Sequence, residues 1–433
     1  MKPAFPWKST FLLGFGFLGI SIIWPIFNQF VPLFLQAGNP EFERQLLAEG
    51  KPIPDIVGLG LAPSLALFIM TWDNLFNMFL APWVGAKSDS TWNRFGRRKP
   101  WILIGAPIAA LAFVFVPVAQ TLLAIAVFIL ITNFGMALFR SPAVSWLGDL
   151  FEAPERSKAN GAINLMGGAG ALLAYFVGGM LFNQFGRVAP FLAGSVAMLA
   201  ALAVAVIFVK EPHHLRGQKE AGEPEKQSVL ESLRLVWTKP DRSSLFVLVS
   251  ILLWFMAFSA LEAGLSSFAV FTLGIPVGTA SFYVGAVTIA FLIFAVPAGL
   301  IGTRFGRSRV IRFGLIGLAI VAAAGFLLIR DPVTFVLLLA VAGVFWALVN
   351  VNSLPLVYDH GDETRVGAYT GLYYFSSQLA AVLGPTLGGV VVDAFGNQYR
   401  TLWLYTAGFM LLAWLVMQKV GDAPAALPEA TSP

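Results

Sequence analysis

Long apolar runs alternate with short polar connections along the chain. Trp101 to Val118 and Leu122 to Leu138 are nearly unbroken hydrophobic stretches, and about 18–20 apolar residues are what a helix needs to cross a bilayer core. Buried helices of soluble domains are rarely so long and so uniform. The pattern predicts twelve spanning helices, over residues 9–36, 57–86, 101–120, 122–150, 159–182, 189–209, 243–272, 279–302, 310–329, 333–358, 365–393 and 400–418. The first follows Lys2 and Lys8 without a cleavage-like site after a short apolar region, so it is read as a span that stays.

Composition agrees with this pattern. Of 433 residues, 58% are apolar and 12% charged, and the mean hydropathy is +0.78; soluble domains carry about 25% charged residues. There is no cysteine, hence no disulfide framework and no thiol chemistry. The net charge of +5 is read as the positive-inside bias and not as nucleic-acid binding, because the basic residues gather in particular loops. With the N-terminus in the cytoplasm, Lys87, Arg94, Arg97, Arg98, Lys99, Arg156, Lys158, Arg304, Arg307, Arg309 and Arg312 fall inside; Arg44, Lys51, Arg187, Arg330 and Arg400 fall outside. The expectation is a multi-pass protein of the cell inner membrane with both termini cytoplasmic. The stretch Lys210 to Arg242 has the composition of a solvated linker, with a short surface helix from Val229 to Trp237. The expected division is an N-terminal six-helix half over 1–209, a cytoplasmic linker over 210–242, a C-terminal six-helix half over 243–418 and a cytoplasmic tail over 419–433.

The second half repeats the first at an offset of 210 residues. Arg94-Phe95-Gly96-Arg97 returns as Arg304-Phe305-Gly306-Arg307, Asp149 as Asp359 and Gly161 as Gly371. Gly178-Gly179 before Phe185-Gly186 returns as Gly388-Gly389 before Phe395-Gly396. Several coincidences at one offset indicate duplication of a six-span unit. Six is even, so the copies lie parallel, related by an axis along the membrane normal, and a substrate site belongs near mid-membrane between them.

Between spans 2 and 3 the chain reads Gly85-Ala86-Lys87-Ser88-Asp89 and then Arg94-Phe95-Gly96-Arg97-Arg98-Lys99-Pro100-Trp101. Gly85 permits close helix approach, and Asp89 at a helix end can accept from a neighbouring helix N-terminus or pair with Arg97 or Arg98. Such a latch holds one conformation of an alternating-access cycle; a loop that only sets topology is the plainer reading. This segment resembles the major facilitator signature, and more narrowly the form found in glycoside-pentoside-hexuronide:cation symporters and their sucrose-transporter-like relatives, which carry Ser-Asp, a spacer, then Arg-x-Gly-Arg-Arg-x-Pro and an aromatic residue. Arg140-Ser141-Pro142, Gly148-Asp149-Leu150 and Arg156 to Asn160 ahead of the glycine-rich span 5 are similar to the bacterial sucrose-transporter-like branch. The resemblance implies an all-α major facilitator fold of twelve helices in two parallel six-helix repeats, and a sugar as substrate. It implies a cytoplasmic gate at Gly85, Asp89, Arg94, Gly96, Arg97, Arg98 and Asp149. One departure stands out: where melibiose-type members carry two cation-binding acids in span 2, this chain has Asn77 and Ala81, and its acid is Asp73, one turn further out. That favours proton over sodium coupling.

Ionisable groups inside spans cost roughly 2.5–3.5 kcal/mol at a helix centre, so each needs a reason. Asp73 in span 2, Arg140 in span 4 and Glu262 in span 7 are candidates for a proton carrier and its responding cation; a static ion pair that fixes packing is the alternative. Sugar recognition needs a flat apolar face and paired polar groups, for which Trp24, Asn28, Gln29, Asn133, Tyr373, Tyr374 and Gln378 are candidates, each also suited to helix contact. The glycines of span 5 lack the Lys-Ser/Thr of a phosphate loop and are read as helix packing. His213, His214 and His360 form no metal pattern, and no catalytic constellation appears, so neither cofactor nor enzyme activity is expected. The reading is a monomeric transporter moving a disaccharide or other glucoside inward with a proton, bound to lipid and not to nucleic acid. Proton-linked efflux of amphipathic compounds is the rival, and a non-transporting sensor or scaffold the rival from another class.

Overall fold

The computed structural model describes residues 5–212, 242–360 and 366–421, and over these it is helical with no strand. The first half comprises α1 (Trp7–Gln36), α2 (Pro40–Ala48), α3 (Pro63–Ile69), α4 (Trp72–Ser90), α5 (Lys99–Phe115), α6 (Leu122–Leu150), α7 (Ala153–Phe185) and α8 (Ala189–Phe208). The second comprises α9 (Ser243–Phe271), α10 (Val277–Phe305), α11 (Arg307–Leu328), α12 (Pro332–Asp359), α13 (Val366–Ala394) and α14 (Thr401–Met417). Eleven spans are long and apolar enough to cross a membrane, α3 and α4 counting as one, and α14 is a twelfth, shorter apolar helix of 17 residues. That length is at the lower bound of about 17 residues for a spanning helix.

The expected spans differ from the helices in four places. Residues 57–62 are not helical but run back along the end of α1, with the Leu59, Gly60 and Leu61 amides donating to the Phe34, Ala37 and Leu35 carbonyls. The second span is interrupted at Met70 and Thr71, where the Thr71 hydroxyl and amide both donate to the Phe68 carbonyl, 2.8 and 3.0 Å away. A side-chain hydroxyl competing for a helix carbonyl bends the helix in this way. Asp73 therefore stands in the first turn of α4 and not in mid-helix. Helix α7 begins six residues earlier than hydropathy indicates, because its first turns are polar. Helix α2 was not expected; it starts on Pro40 behind Asn39, whose side chain accepts from the Glu41 amide at 3.0 Å. Most of the linker, the proposed helix at Val229 to Trp237, His213, His214 and most of the tail lie outside the described residues.

Among the described residues, most hydrogen bonds between the halves gather towards one face, while α7 also packs along α10 as far as Gly168 and Leu292. Opposite the Arg94–Arg98 loop, Gln36 donates to Ser267 (3.1 Å) and accepts from the Tyr399 hydroxyl (2.5 Å), while the Ser64 amide donates to Asp393 (3.2 Å). Burial pushes the Tyr399 hydroxyl up, so it remains a donor. Phe42 stacks flat on Phe271, centroids 4.7 Å apart. The equivalent glycines Gly179 and Gly389 let each half touch the other's backbone: a Cβ at either would collide with Gly278 or with Ser64. The larger buried cluster crosses this end from Phe30 and Phe191 to Phe268 and Trp403, whereas a second cluster stays within the second half. At the signature face, Gly148, Gly161 and Gly371 have nothing within 4 Å of where a Cβ would stand. Among the described residues, the halves are thus held together chiefly at the end opposite the Arg94–Arg98 loop.

Candidate functional site

A cavity of about 220 Å³ lies between the halves, walled by α1, α3, α4 and α6 on one side and α9 and α13 on the other. Trp24 and Asn28 are one helical turn apart and share a face of α1; Ser259, Glu262 and Ala263 do the same on α9, and Gln378, Ala381 and Pro385 on α13. The break in the second span brings Met70, Asp73 and Asn74 to the wall, and α6 supplies Arg140. Six of the residues singled out by sequence, Trp24, Asn28, Asp73, Arg140, Glu262 and Gln378, therefore line one cavity. Asp73 is in electrostatic range of both Arg140 and Glu262, and Asn74 donates to its carboxylate at 2.9 Å. The Arg140 guanidinium stands 6.0 Å from the Trp24 ring centroid, a cation–π distance. The Trp24 indole N–H and the Gln378 carbonyl oxygen are buried without a partner among the described residues, leaving a donor and an acceptor for a polar ligand.

At the signature face a second constellation forms. Asp149 accepts from Arg97 Nε (3.1 Å) and Arg98 Nε (2.9 Å) and pairs with both guanidiniums. Asp89 meets Arg98 as a charge contact outside hydrogen-bonding alignment. Ser88 accepts from Arg98 at 2.5 Å and donates to the Gly85 carbonyl at 2.8 Å. Burial alone would lower the Arg98 guanidinium, but hydrogen bonding and charge contact with Asp149, and then Asp89, hold it above its ordinary value. The repeat carries over: Arg307 pairs with Asp359, the equivalents of Arg97 and Asp149.

A residue that sequence reading left in the linker belongs to this network. Glu211 is buried, 9% exposed, and its carboxylate accepts from the Arg97 amide (2.5 Å), the Arg98 amide (3.2 Å), the Lys99 amide (3.0 Å) and the Trp146 indole (3.1 Å). Gly96 is required here twice over, by its φ of +113° and because a Cβ would occupy the place of the Glu211 carboxylate. In the second half Gly421 stands at the equivalent of Glu211, Ser308 at that of Arg98 and Gly299 at that of Asp89. The second constellation is correspondingly smaller.

Residues 9–291 and 265–432 match the family model of the Major Facilitator Superfamily. The chain belongs to that family. This major facilitator protein is a multi-pass membrane transporter of a small molecule. It is 25% identical over 415 residues to Multidrug resistance protein 2 of Bacillus subtilis (strain 168), spanning 94% of this chain and 92% of that one. Its fold is similar to crystal structures of the nucleoside transporter NupG, at 15% identity and a TM-score of 0.72 over 95% of this chain and 98% of that one. It is also similar to the D-xylose-proton symporter, at 16% identity and a TM-score of 0.65 over 97% and 99%. At these identities the likeness is one of fold.

Other residues expected at the transporter's site lie elsewhere. Gln29 and Asn133 are buried away from the cavity wall, with Gln29 Nε2 and both Asn133 amide atoms unpartnered. Tyr373 is directed into the second half, where its hydroxyl bonds Ser353 at 3.0 Å and its ring meets Phe255. Tyr374 is 54% exposed and does not line the cavity, though it is in electrostatic range of Arg140. Arg94 is exposed over the Phe95 ring and takes no part in the Asp149 network. For consecutive residues, such as Asn28-Gln29 or Tyr373-Tyr374, helical geometry sends neighbours about 100° apart, so one of each pair misses a shared face. His360 bonds the Leu356 and Gly421 carbonyls, and no metal-binding cluster occurs among the described residues.

Proposed function

We propose that this transporter carries a sugar, a disaccharide or other glucoside, inward together with a proton by alternating access. The observation that carries the reading is the cavity in which Trp24 offers a ring face, Asn28 and Gln378 offer amides, and Asp73 stands in electrostatic range of both Arg140 and Glu262. The resemblance of Ser88-Asp89 and Arg94 to Trp101 to the glycoside-pentoside-hexuronide:cation family and its sucrose-transporter-like branch supports the substrate class, and the Asn77 and Ala81 departures support a proton in place of sodium. In this reading the signature face is cytoplasmic, both termini lie inside the cell inner membrane, the halves are 1–209 and 243–418 joined by a linker over 210–242, and one chain is the working unit. Neither cofactor nor covalent chemistry enters: protonation of a carboxylate releases Arg140 from it, and the freed guanidinium and the sugar hydroxyls exchange partners.

A second reading, proton-linked efflux of amphipathic compounds, draws on the relative named as a multidrug resistance protein. Uptake of a labelled sugar panel into proteoliposomes, with and without an imposed pH gradient, separates the two. Inward accumulation of a sugar is expected. Gradient-driven expulsion of amphipathic dyes with no sugar flux would establish the rival, and no flux of either would leave a sensor or scaffold.

A further inference from the structure

Glu262 lines a second cavity as well as the first. This one, of about 150 Å³, lies mostly within the second half, with Tyr175 of α7 at its edge, and is walled chiefly by Phe258, Leu261, Val287, Phe291, Ala322 and Trp346. Phe258 and Trp346 stack face to face on each other, centroids 3.8 Å apart and planes 3° from parallel, so they form one rigid aromatic pair on the wall. The few polar groups on the lining are mostly engaged: the Thr406 hydroxyl donates to the Leu402 and Ala257 carbonyls, and the Tyr175 hydroxyl bonds Thr288. The Trp403 indole N–H remains without a partner. Two chambers, one polar and one apolar, thus adjoin across one carboxylate.

We propose that the apolar chamber is a second subsite, which receives a ring-sized apolar substituent of a molecule whose polar part occupies the Asp73, Arg140 and Gln378 cavity, so that the substrates are amphipathic glycosides and not bare sugars. This rests on the sugar reading of the polar cavity. Three observations carry it. An apolar cavity of about 150 Å³ is large enough to take up benzene. The Phe258–Trp346 pair offers aromatic edges and an outer ring face, which suit a ring in edge-to-face or offset contact. Glu262 lines both chambers, so they stand side by side with this side chain between them, and one molecule reaches both where that side chain turns aside. Residues that would set specificity are then Ala322, Ala342 and Val287, whose size fixes what enters.

The test compares phenyl and methyl glucosides, in both anomers, for binding to the purified full-length protein by titration calorimetry. Burying a phenyl ring should tighten binding about 10- to 100-fold over the methyl glucoside. Ala322→Leu, which fills the apolar chamber, should bring the two within about threefold by weakening the phenyl glucoside alone. Should that variant fail to fold, benzene added to the wild type is the second measurement: it should compete with the phenyl glucoside and not with the methyl one. Phenyl and methyl glucosides binding within about threefold of each other in the wild type would overturn the subsite and leave the sugar reading intact. Binding of neither glucoside would overturn both.

Discussion

Replacing Glu211 by alanine removes the acceptor on which four N–H groups converge: the Arg97, Arg98 and Lys99 amides at the start of α5 and the Trp146 indole. Hydrogen bonds to a charged partner contribute about 1.5–3 kcal/mol each, and a carboxylate at a helix N-terminus adds about 0.3–1 kcal/mol. Water entering the truncated site would replace part of this, so the net loss is set near the about 3–5 kcal/mol typical of breaking a buried charged contact. At about 2–4 °C per kcal/mol for a unit of 150–250 residues, the melting temperature should fall by about 6–20 °C. Differential scanning fluorimetry of the detergent-solubilised protein, read from its own tryptophans, measures this directly. Glu211→Gln keeps the shape and removes the charge, and should fall between the two. A Glu211→Ala protein that melts within about 1 °C of wild type would refute the view that this residue anchors α5.

Asp73→Asn imitates the protonated carboxyl, and should abolish accumulation of substrate driven by a pH gradient while leaving counterflow measurable; if a gradient still concentrates substrate, Glu262 becomes the first candidate for coupling. Asp89→Asn should change the transport rate more than substrate affinity, because Asp89 pairs with Arg98 far from the cavity; weakened binding at an unchanged rate would contradict this. Because the chain has no cysteine, spin labels at Gly161→Cys and Gly371→Cys report on the signature face alone, and electron-electron resonance should show that distance shortening when the opposite face opens. A single distance unaffected by substrate or pH would count against alternation.

Much of this was legible in the sequence, for physical reasons that also explain the rest. Hydropathy found the spans because lipid and buried protein both demand apolar residues; it placed the start of α7 too late because helix outside the bilayer is polar, and it missed α2 for the same reason. The offset of 210 residues matched Arg97 to Arg307 and Asp149 to Asp359, but that each arginine pairs with its aspartate was not readable from it; the partner expected from sequence was Asp89. Cost in the membrane singled out Asp73, Arg140 and Glu262, and the fold brought all three to one cavity. Glu211 escaped because it opens a charged stretch whose composition is that of a linker, and its burial depends on Gly96 and Trp146, more than sixty residues away in sequence. The Lys-Glu-Pro at 210–212, a charge directly after an apolar helix and before a proline, was the available signal. Gln29, Asn133 and Tyr373 were misplaced because composition names a polar residue in a span without telling which way it faces.

The end at which the halves are held together has an electrical consequence. Its contacts between the halves include an amide, a serine and a tyrosine hydroxyl, stacked rings, glycine backbones and one carboxylate held on an amide. The charges among these contacts, Lys51 on the Thr272 carbonyl and Arg400 in electrostatic range of Glu49, lie outside the spanning helices, so the membrane potential has little purchase on that step. The charges that can feel the field are those on the cavity wall, Asp73, Glu262 and Arg140. They carry one net negative charge when both carboxylates are ionised and none when one of them is protonated. A full elementary charge crossing the membrane is worth about 2.3 kcal/mol per 100 mV. On the proton-coupled reading proposed above, the singly protonated carrier would therefore reorient almost without regard to voltage, while the deprotonated one would be driven toward the positive side of the membrane.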